Sequence, residues 1–277
     1  MTDFEIVQSG KYYFKITRNI RTYEGVTIIH TYKIGGDYQD CVNISYIYEN
    51  NIPVRVKIPH LLYEPECSMG TTLERGGGTE VMIKTALRYA YKEVPTLPLF
   101  EFEDNSHIDC IEKNPIQSPP RKPTKPIHLA YFYIAYHSMT WYEARFLARM
   151  SHTPNYTKYR EKLKFLTNPA EKVPFHDFLS IIGSSLESLA SVSYLETLYS
   201  NANTYRAFFE KIPKYKRCDI LFPWLYTFME TYLGSVFSDK GWVIDVRNMD
   251  TNTALVGGSL RKGSLYRIFS YRKAHNL

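Results

Sequence analysis

The sequence predicts an α+β protein: a mixed, largely antiparallel sheet with flanking helices, followed by a mainly helical C-terminal region. Three observations predict it. The first third alternates β-branched and aromatic residues with polar ones, the apolar period lengthens to a helical one after residue 78, and from about residue 151 most segments keep that helical spacing.

Four segments carry the strand reading: "KYYFKITRNI" (11–20), "GVTIIHTYKI" (25–34), "CVNISYIY" (41–48) and "PVRVKIPHLLYE" (53–64). Each is bounded by Gly, Asn, Asp or Pro, and "IGGDYQD" and "ENNIP" supply turn chemistry between them, so an antiparallel meander is expected over 11–65. Val81, Ile83, Ala86, Leu87 and Ala90 then recur at helical spacing, with Glu80, Lys84 and Arg88 on another face. Thr79 is the expected N-cap, and "VPTLP" closes the helix. "LFEFED" (99–104) reads as a strand. "NPIQSPPRKPTKP" (114–126) holds five prolines, a density that predicts an exposed, partly extended loop. "HLAYFYIAYHS" (128–138) reads as a strand and "TWYEARFLARM" (140–150) as a helix.

The remainder reads as helices over 157–168, 175–200, 204–212 and 218–237, with late strands "GWVIDVRNM" and "SLYRIFSYRK". Two domains are expected, 1–150 and 151–277, with 114–126 as an insertion in the first. "FPWLYTFMETYL" (222–233) is expected to be core.

Composition narrows the function classes. At 277 residues, 44% apolar and 22% charged, the chain is an ordinary globular one with room for a sizeable core. Aromatic residues reach 15%, mostly as 24 tyrosines, which suits half-buried sheet or a contact surface. A formal charge of +6 favours anionic partners, but "RKPTK" and "KIPKYKR" are short and the rest of the positive charge is dispersed, so nucleic acid is not the expected partner. Cys41, Cys67, Cys110 and Cys218 lie far apart with no metal-ligand spacing, which predicts free thiols in a reducing compartment. With no secretory start and no membrane-length apolar run, a soluble intracellular protein without a membrane span is expected.

One stretch suggests chemistry. "LERGGGTEVMIKTALRYAY" sets Gly76, Gly77 and Gly78 against the start of the predicted helix. A tight turn is the plain account. The alternative is an anion cradle, because glycine lets ligand atoms approach the backbone, the first helical N–H groups lack partners, and the helix dipole is positive there. No G-x-x-x-x-G-K-[ST] is present, and Gly76–Gly78 lacks the third glycine of a dinucleotide-binding turn, which excludes those two phosphate motifs.

The order meander, glycine turn, helix, strand, "WYEARF" resembles the GCN5-related N-acetyltransferase (GNAT) family over residues 10–150. That family's R/Q-x-x-G-x-G/A turn holds the diphosphate of acetyl-coenzyme A. The resemblance places Arg75, Gly76, Gly77, Gly78, Thr79 and Glu80 there, with Glu80 departing from the small residue of the pattern. It puts the family's post-strand asparagine on Asn105, and its late tyrosine, which protonates the departing thiolate, on Tyr142, while the neighbouring lysine and glycine are missing. The implied activity is transfer of an acetyl or other acyl group from coenzyme A to an amine. A narrower resemblance, through "IDC", "YHSMTWYEARF" and "RCDILFPWL", is to uncharacterised proteins of large DNA viruses of eukaryotes, and implies infected-cell cytoplasm or the virion as location.

Acyl transfer needs a neutral amine, support for an oxyanion and a proton for the thiolate. Glu64 and Glu66, between the last meander strand and the glycines, are the candidate bases by chain order, and Tyr142 is the candidate acid. His107 and His137 are alternatives for proton transfer, and Cys110 for nucleophilic work, each weighed against a purely structural role. A non-catalytic interaction or virion structural protein on a degenerate version of the same fold is the competing expectation.

Overall fold

The computed structural model describes residues 4–23, 27–109, 126–183, 192–237, 241–249 and 256–257. The protein is α+β. It divides into two compact units, Met1–Glu103 with Val243–Leu277, and Asp104–Trp242. Residue 150 falls inside the second.

The first unit is built on a sheet. Strands β1 (Phe4–Ser9), β2 (Tyr12–Tyr23), β3 (Thr27–Gly35), β4 (Asp40–Glu49) and β5 (Ile52–Leu61) form an antiparallel meander. Helix α1 (Gly77–Glu93) follows, then β6 (Leu99–Glu103), which pairs with β5 in parallel. With β10 (Gly241–Asp245) and β11 (Val256–Gly257), the order is β11–β1–β2–β3–β4–β5–β6–β10. The four predicted strands appear at β2 to β5. β1 was not expected: its "FEIVQS" alternates too briefly to stand out, and it is fixed by a six-residue pairing with β2.

Period-two alternation sends Phe14, Ile16, Tyr32, Ile34, Ile44, Tyr46, Val56 and Ile58 to one face, each at most 6% exposed. Against this face α1 lays Met82, Ile83, Ala86, Leu87 and Ala90, all 0% exposed, at the i, i+3, i+4 spacing of a helical stripe. Thr79 is not the N-cap. The helix begins three residues earlier than that cap implies, at Gly77, with Gly76 as N-cap at φ 81° and no side-chain cap.

The expectation of free thiols is overturned for three cysteines. Cys41, opening β4, and Cys67, in the turn after β5, form a disulfide with both residues 0% exposed, and Cys218 is also disulfide-bonded. Spacing alone could not show the pairing, which depends on the fold bringing residues 26 apart to a Cα separation of 5.8 Å. Replacing both Cys41 and Cys67 by alanine is expected to cost about 2–4 kcal/mol, read by denaturant titration of the full chain. A loss below about 0.5 kcal/mol would contradict a stabilising cross-link.

The second unit is mainly helical. It contains β7 (His107–Asp109) paired antiparallel with β8 (Pro126–His128), then α2 (Leu129–His137), α3 (Trp141–Phe146), β9 (Arg149–Met150), α4 (Thr153–Lys162), α5 (Phe175–Ile182), α6 (Val192–Ser200), α7 (Tyr205–Lys211), α8 (Arg217–Leu221) and α9 (Leu225–Leu233). Its core is aromatic: Phe165, Phe178, Tyr199, Tyr205, Phe208, Phe209, Trp224 and Phe228 are all at most 5% exposed. The core reading of 222–233 therefore holds. "HLAYFYIAYHS" is a helix and not the expected strand, because a run apolar on nearly every side shows no period to read. The expected helix over 218–237 is two helices, α8 and α9, broken beside Pro223. The proline-rich loop and Cys110, apart from Pro126 in β8, lie outside the described residues, as does "SLYRIFSYRK". Among the described residues no helix is long and apolar enough to cross a membrane.

Candidate functional site

The three glycines have three different explanations. Gly76 adopts φ 81°, a conformation that side chains resist, and accepts the first helical hydrogen bond, from Glu80 N–H at 2.9 Å. Gly78 is buried: a Cβ there would sit 3.0 Å from the Tyr12 hydroxyl and 3.1 Å from Leu73 Cδ1, so any side chain would have to push these neighbours aside by a few tenths of an ångström. Gly77 is exposed, has no positive φ, and a Cβ on it would meet nothing within 4 Å. Neither backbone angle nor space requires glycine at that position.

Gly77 is also the first residue of α1. Among the described residues, no protein group accepts from the N–H groups of Gly77, Gly78 or Thr79. A 17-residue helix thus presents unpaired amides and the positive end of its dipole at an exposed glycine. The approach is shaped by Leu73, 0% exposed, whose N–H donates to the Pro65 carbonyl at 2.8 Å and whose carbonyl accepts from the Tyr63 hydroxyl at 3.2 Å. The Arg75 guanidinium lies 5.9 Å from the Tyr63 ring centre and has no carboxylate partner among the described residues. Lys11 pairs with Glu74, and Lys84 with Glu80 at 2.7 Å. Among the described residues Arg75 is thus the cation at the bend with no ion pair, while Glu80 occupies the first helical turn where the family pattern has a small residue.

Parallel pairing of β5 and β6 is confined to Lys57↔Glu101 and Ile58↔Phe102, although β5 runs on to Leu61. The last three residues of β5 have no partner on β6. This is the side from which the chain runs through Glu64 and Glu66 to the glycines.

Both glutamates are exposed. Glu64 opens a turn in which its carbonyl accepts from Cys67 N–H at 3.1 Å. Glu66 lines an open depression of about 320 Å³ with Asp37, Tyr38, Ser68, Thr71 and Thr72, and none of Arg75–Glu80 lines that depression. Gly36 is fixed by the same turn, since a Cβ there would fall 1.9 Å from the Glu66 carbonyl oxygen.

The remaining candidates belong to the second unit. Asn105 is exposed, beside an Asp104 side chain that accepts from Ser106 N–H at 3.1 Å. Tyr142 is 5% exposed, and its hydroxyl is held far above the usual phenol range by burial first and then by the Asp104 charge, with a hydrogen bond to Ser106 acting the other way. It keeps its proton at any physiological pH, as a core tyrosine. The motif around it has a structural explanation that its sequence spells out. Thr140-x-x-Glu143 is a capping box: Thr140 Oγ1 accepts from Glu143 N–H at 3.2 Å, and Glu143 Oε2 accepts from Thr140 N–H at 2.6 Å. His107 and His137 are both exposed, in β7 and at the end of α2.

No protein-family model, curated protein or solved structure matches this chain.

Proposed function

We propose that the first unit binds an acyl-coenzyme A through its diphosphate at the start of α1, and that the protein transfers the acyl group to an amine. The observation that carries this reading is Gly77: an exposed helix-initiating glycine that neither conformation nor packing demands, with three unpaired amides around it. Arg75 adds the charge, and the short β5–β6 pairing leaves the end of β5 unpaired by β6, where an extended pantetheine arm would lie. In the reaction the amine nitrogen attacks the thioester carbonyl, the C–S bond breaks, and a proton passes from the amine side to the thiolate. Glu64 and Glu66, both solvent-exposed, are the carboxylates offered for the amine proton, acting through water.

A second reading has its own support. The burial of Tyr142, together with Glu80 in the first turn, favours a fold that has kept its shape as an interaction or structural protein without the chemistry.

Calorimetric titration of the full chain with acetyl-coenzyme A separates these readings. The parent is expected to bind saturably. Gly77→Asp should bind at least about tenfold more weakly, because its carboxylate occupies the amides, while its stability stays level or rises by about 0.3–1 kcal/mol from an acid in the first helical turn. Absence of heat with the parent defeats cofactor binding. Binding without release of free thiol in the presence of primary amines leaves the non-catalytic reading.

A further inference from the structure

In the second unit, three arginines, Arg160, Arg206 and Arg217, gather near the C-terminal end of α2. Ser138, just past the helix at φ 53°, is held from two sides: Arg206 Nη1 donates to its hydroxyl at 3.0 Å, and Arg160 Nη1 to its carbonyl at 3.2 Å. Arg206 also pairs with Glu210 at 2.9 Å, and Arg160 reaches Glu143 at 3.4 Å. These two arginines are accounted for by a helix end and two carboxylates.

Arg217 is not. Its guanidinium lies 3.9 Å from the centre of the Tyr136 ring, it is only partly exposed, and no carboxylate among the described residues pairs with it. Its Nε is shut off from solvent with no acceptor, and so is the hydroxyl of Tyr136, a residue 5% exposed. Cation–π contact compensates a desolvated guanidinium only in part, and a buried donor without an acceptor is costly. Two such groups in contact with one another point to a third component.

We propose that Arg217 and Tyr136, with His137 beside them, bind a phosphate-type oxyanion, either inorganic phosphate or a small phosphate monoester. An oxyanion supplies what both groups lack: an acceptor for Arg217 Nε and for the Tyr136 hydroxyl, and a negative charge opposite a guanidinium suited to it. The surroundings agree. The His137 imidazole is held below its ordinary range by burial first and then by Arg206, Arg217 and Arg145, with Glu210 alone opposing. The Tyr136 hydroxyl is pushed up to about 12 by burial, Arg217 pulling the other way, and so stays a hydrogen-bond donor at neutral pH.

The test uses the full chain and calorimetry at neutral pH with inorganic phosphate and, separately, methyl phosphate. Saturable binding of either is expected, and the tighter of the two identifies free anion or ester as the ligand type. Arg217→Met, which keeps a long apolar stem over Tyr136, should weaken it about ten- to a hundredfold, the range of a lost charge-assisted hydrogen bond. Gly77→Asp should leave it unchanged. Proton NMR of the imidazoles, assigned with His137→Asn, supplies a second readout: saturating sulfate, a dianion throughout the titration, should raise the proton affinity of His137 on the order of tenfold. Should Arg217→Met not fold, Arg217→Lys decides, with at least about threefold weaker binding expected. No saturable binding by the parent, equal binding by the Arg217 variant, or loss on Gly77→Asp in its place would each overturn the proposal.

Discussion

Phe228→Ala is expected to cost about 3–5 kcal/mol of the stability of the second unit, the range for deleting a fully buried aromatic ring. Phe228 is 0% exposed, and its ring centre lies 5.0 Å from those of Tyr205 and Tyr232, 5.7–5.9 Å from Phe165, Phe178, Phe209 and Trp224. Alanine removes the one side chain shared by six rings. Four of them belong to other elements (α5, α7 and the turn at 163–166), so neighbours cannot close the gap without moving several backbones. Tyr226, two residues earlier on α9 and 56% exposed, is the control: Tyr226→Ala should stay within about 1 kcal/mol. Denaturant unfolding followed by tryptophan fluorescence checks both, Trp224 being in the cluster. Similar costs for the two variants would mean that α9 does not bury the face described.

The same contrast shows what could be read from the sequence. α9 was legible as core because Trp224, Leu225, Phe228 and Met229 fall at helical spacing, and the meander because alternation along β2 to β5 survives even where the strands are polar at their ends. α2 was misread because a continuous apolar run has no face. The disulfide was hidden because pairing is a property of three-dimensional approach. At the glycine bend, sequence located the stretch but could not divide the labour among its residues. Only the geometry separates Gly76, needed for its backbone angle, and Gly78, needed for contact with Tyr12 and Leu73, from Gly77, needed for neither. The arginine cluster gave no linear signal, since Arg145, Arg206 and Arg217 come from three elements.

Glu143→Ala is expected to be about as damaging as the loss of Phe228, although it deletes a charged residue from a short helix. Glu143 is 7% exposed, and its carboxylate accepts four donors: Oε2 takes Thr140 N–H at 2.6 Å and the Tyr159 hydroxyl at 2.7 Å, and Oε1 takes the Tyr156 hydroxyl at 3.1 Å and Arg160 at 3.4 Å. Arg160 is 44% exposed on its side chain and contributes little through screened charge. The weight falls on Thr140 and Tyr159, both 0% exposed, whose donors would be stranded away from water at about 1–3 kcal/mol each. The N-cap bond from residue 143 N–H to Thr140 Oγ1 survives in the variant, so the two stranded donors make up the total, about 3–5 kcal/mol. The Tyr159 hydroxyl is held well above its ordinary range by burial first and then by the Glu143 charge and hydrogen bond, and the burial that dominates remains in the variant. Tyr159→Phe removes one stranded donor in advance. In that background Glu143→Ala should cost about 1–2 kcal/mol less, a coupling that a double-mutant cycle in denaturant measures directly. Additive costs would show that Tyr159 and Glu143 do not share the bond. A coupled result makes the "TWYE" segment a helix cap tied to α4, and any functional loss on mutating Glu143 then reports unfolding of its surroundings before it reports chemistry.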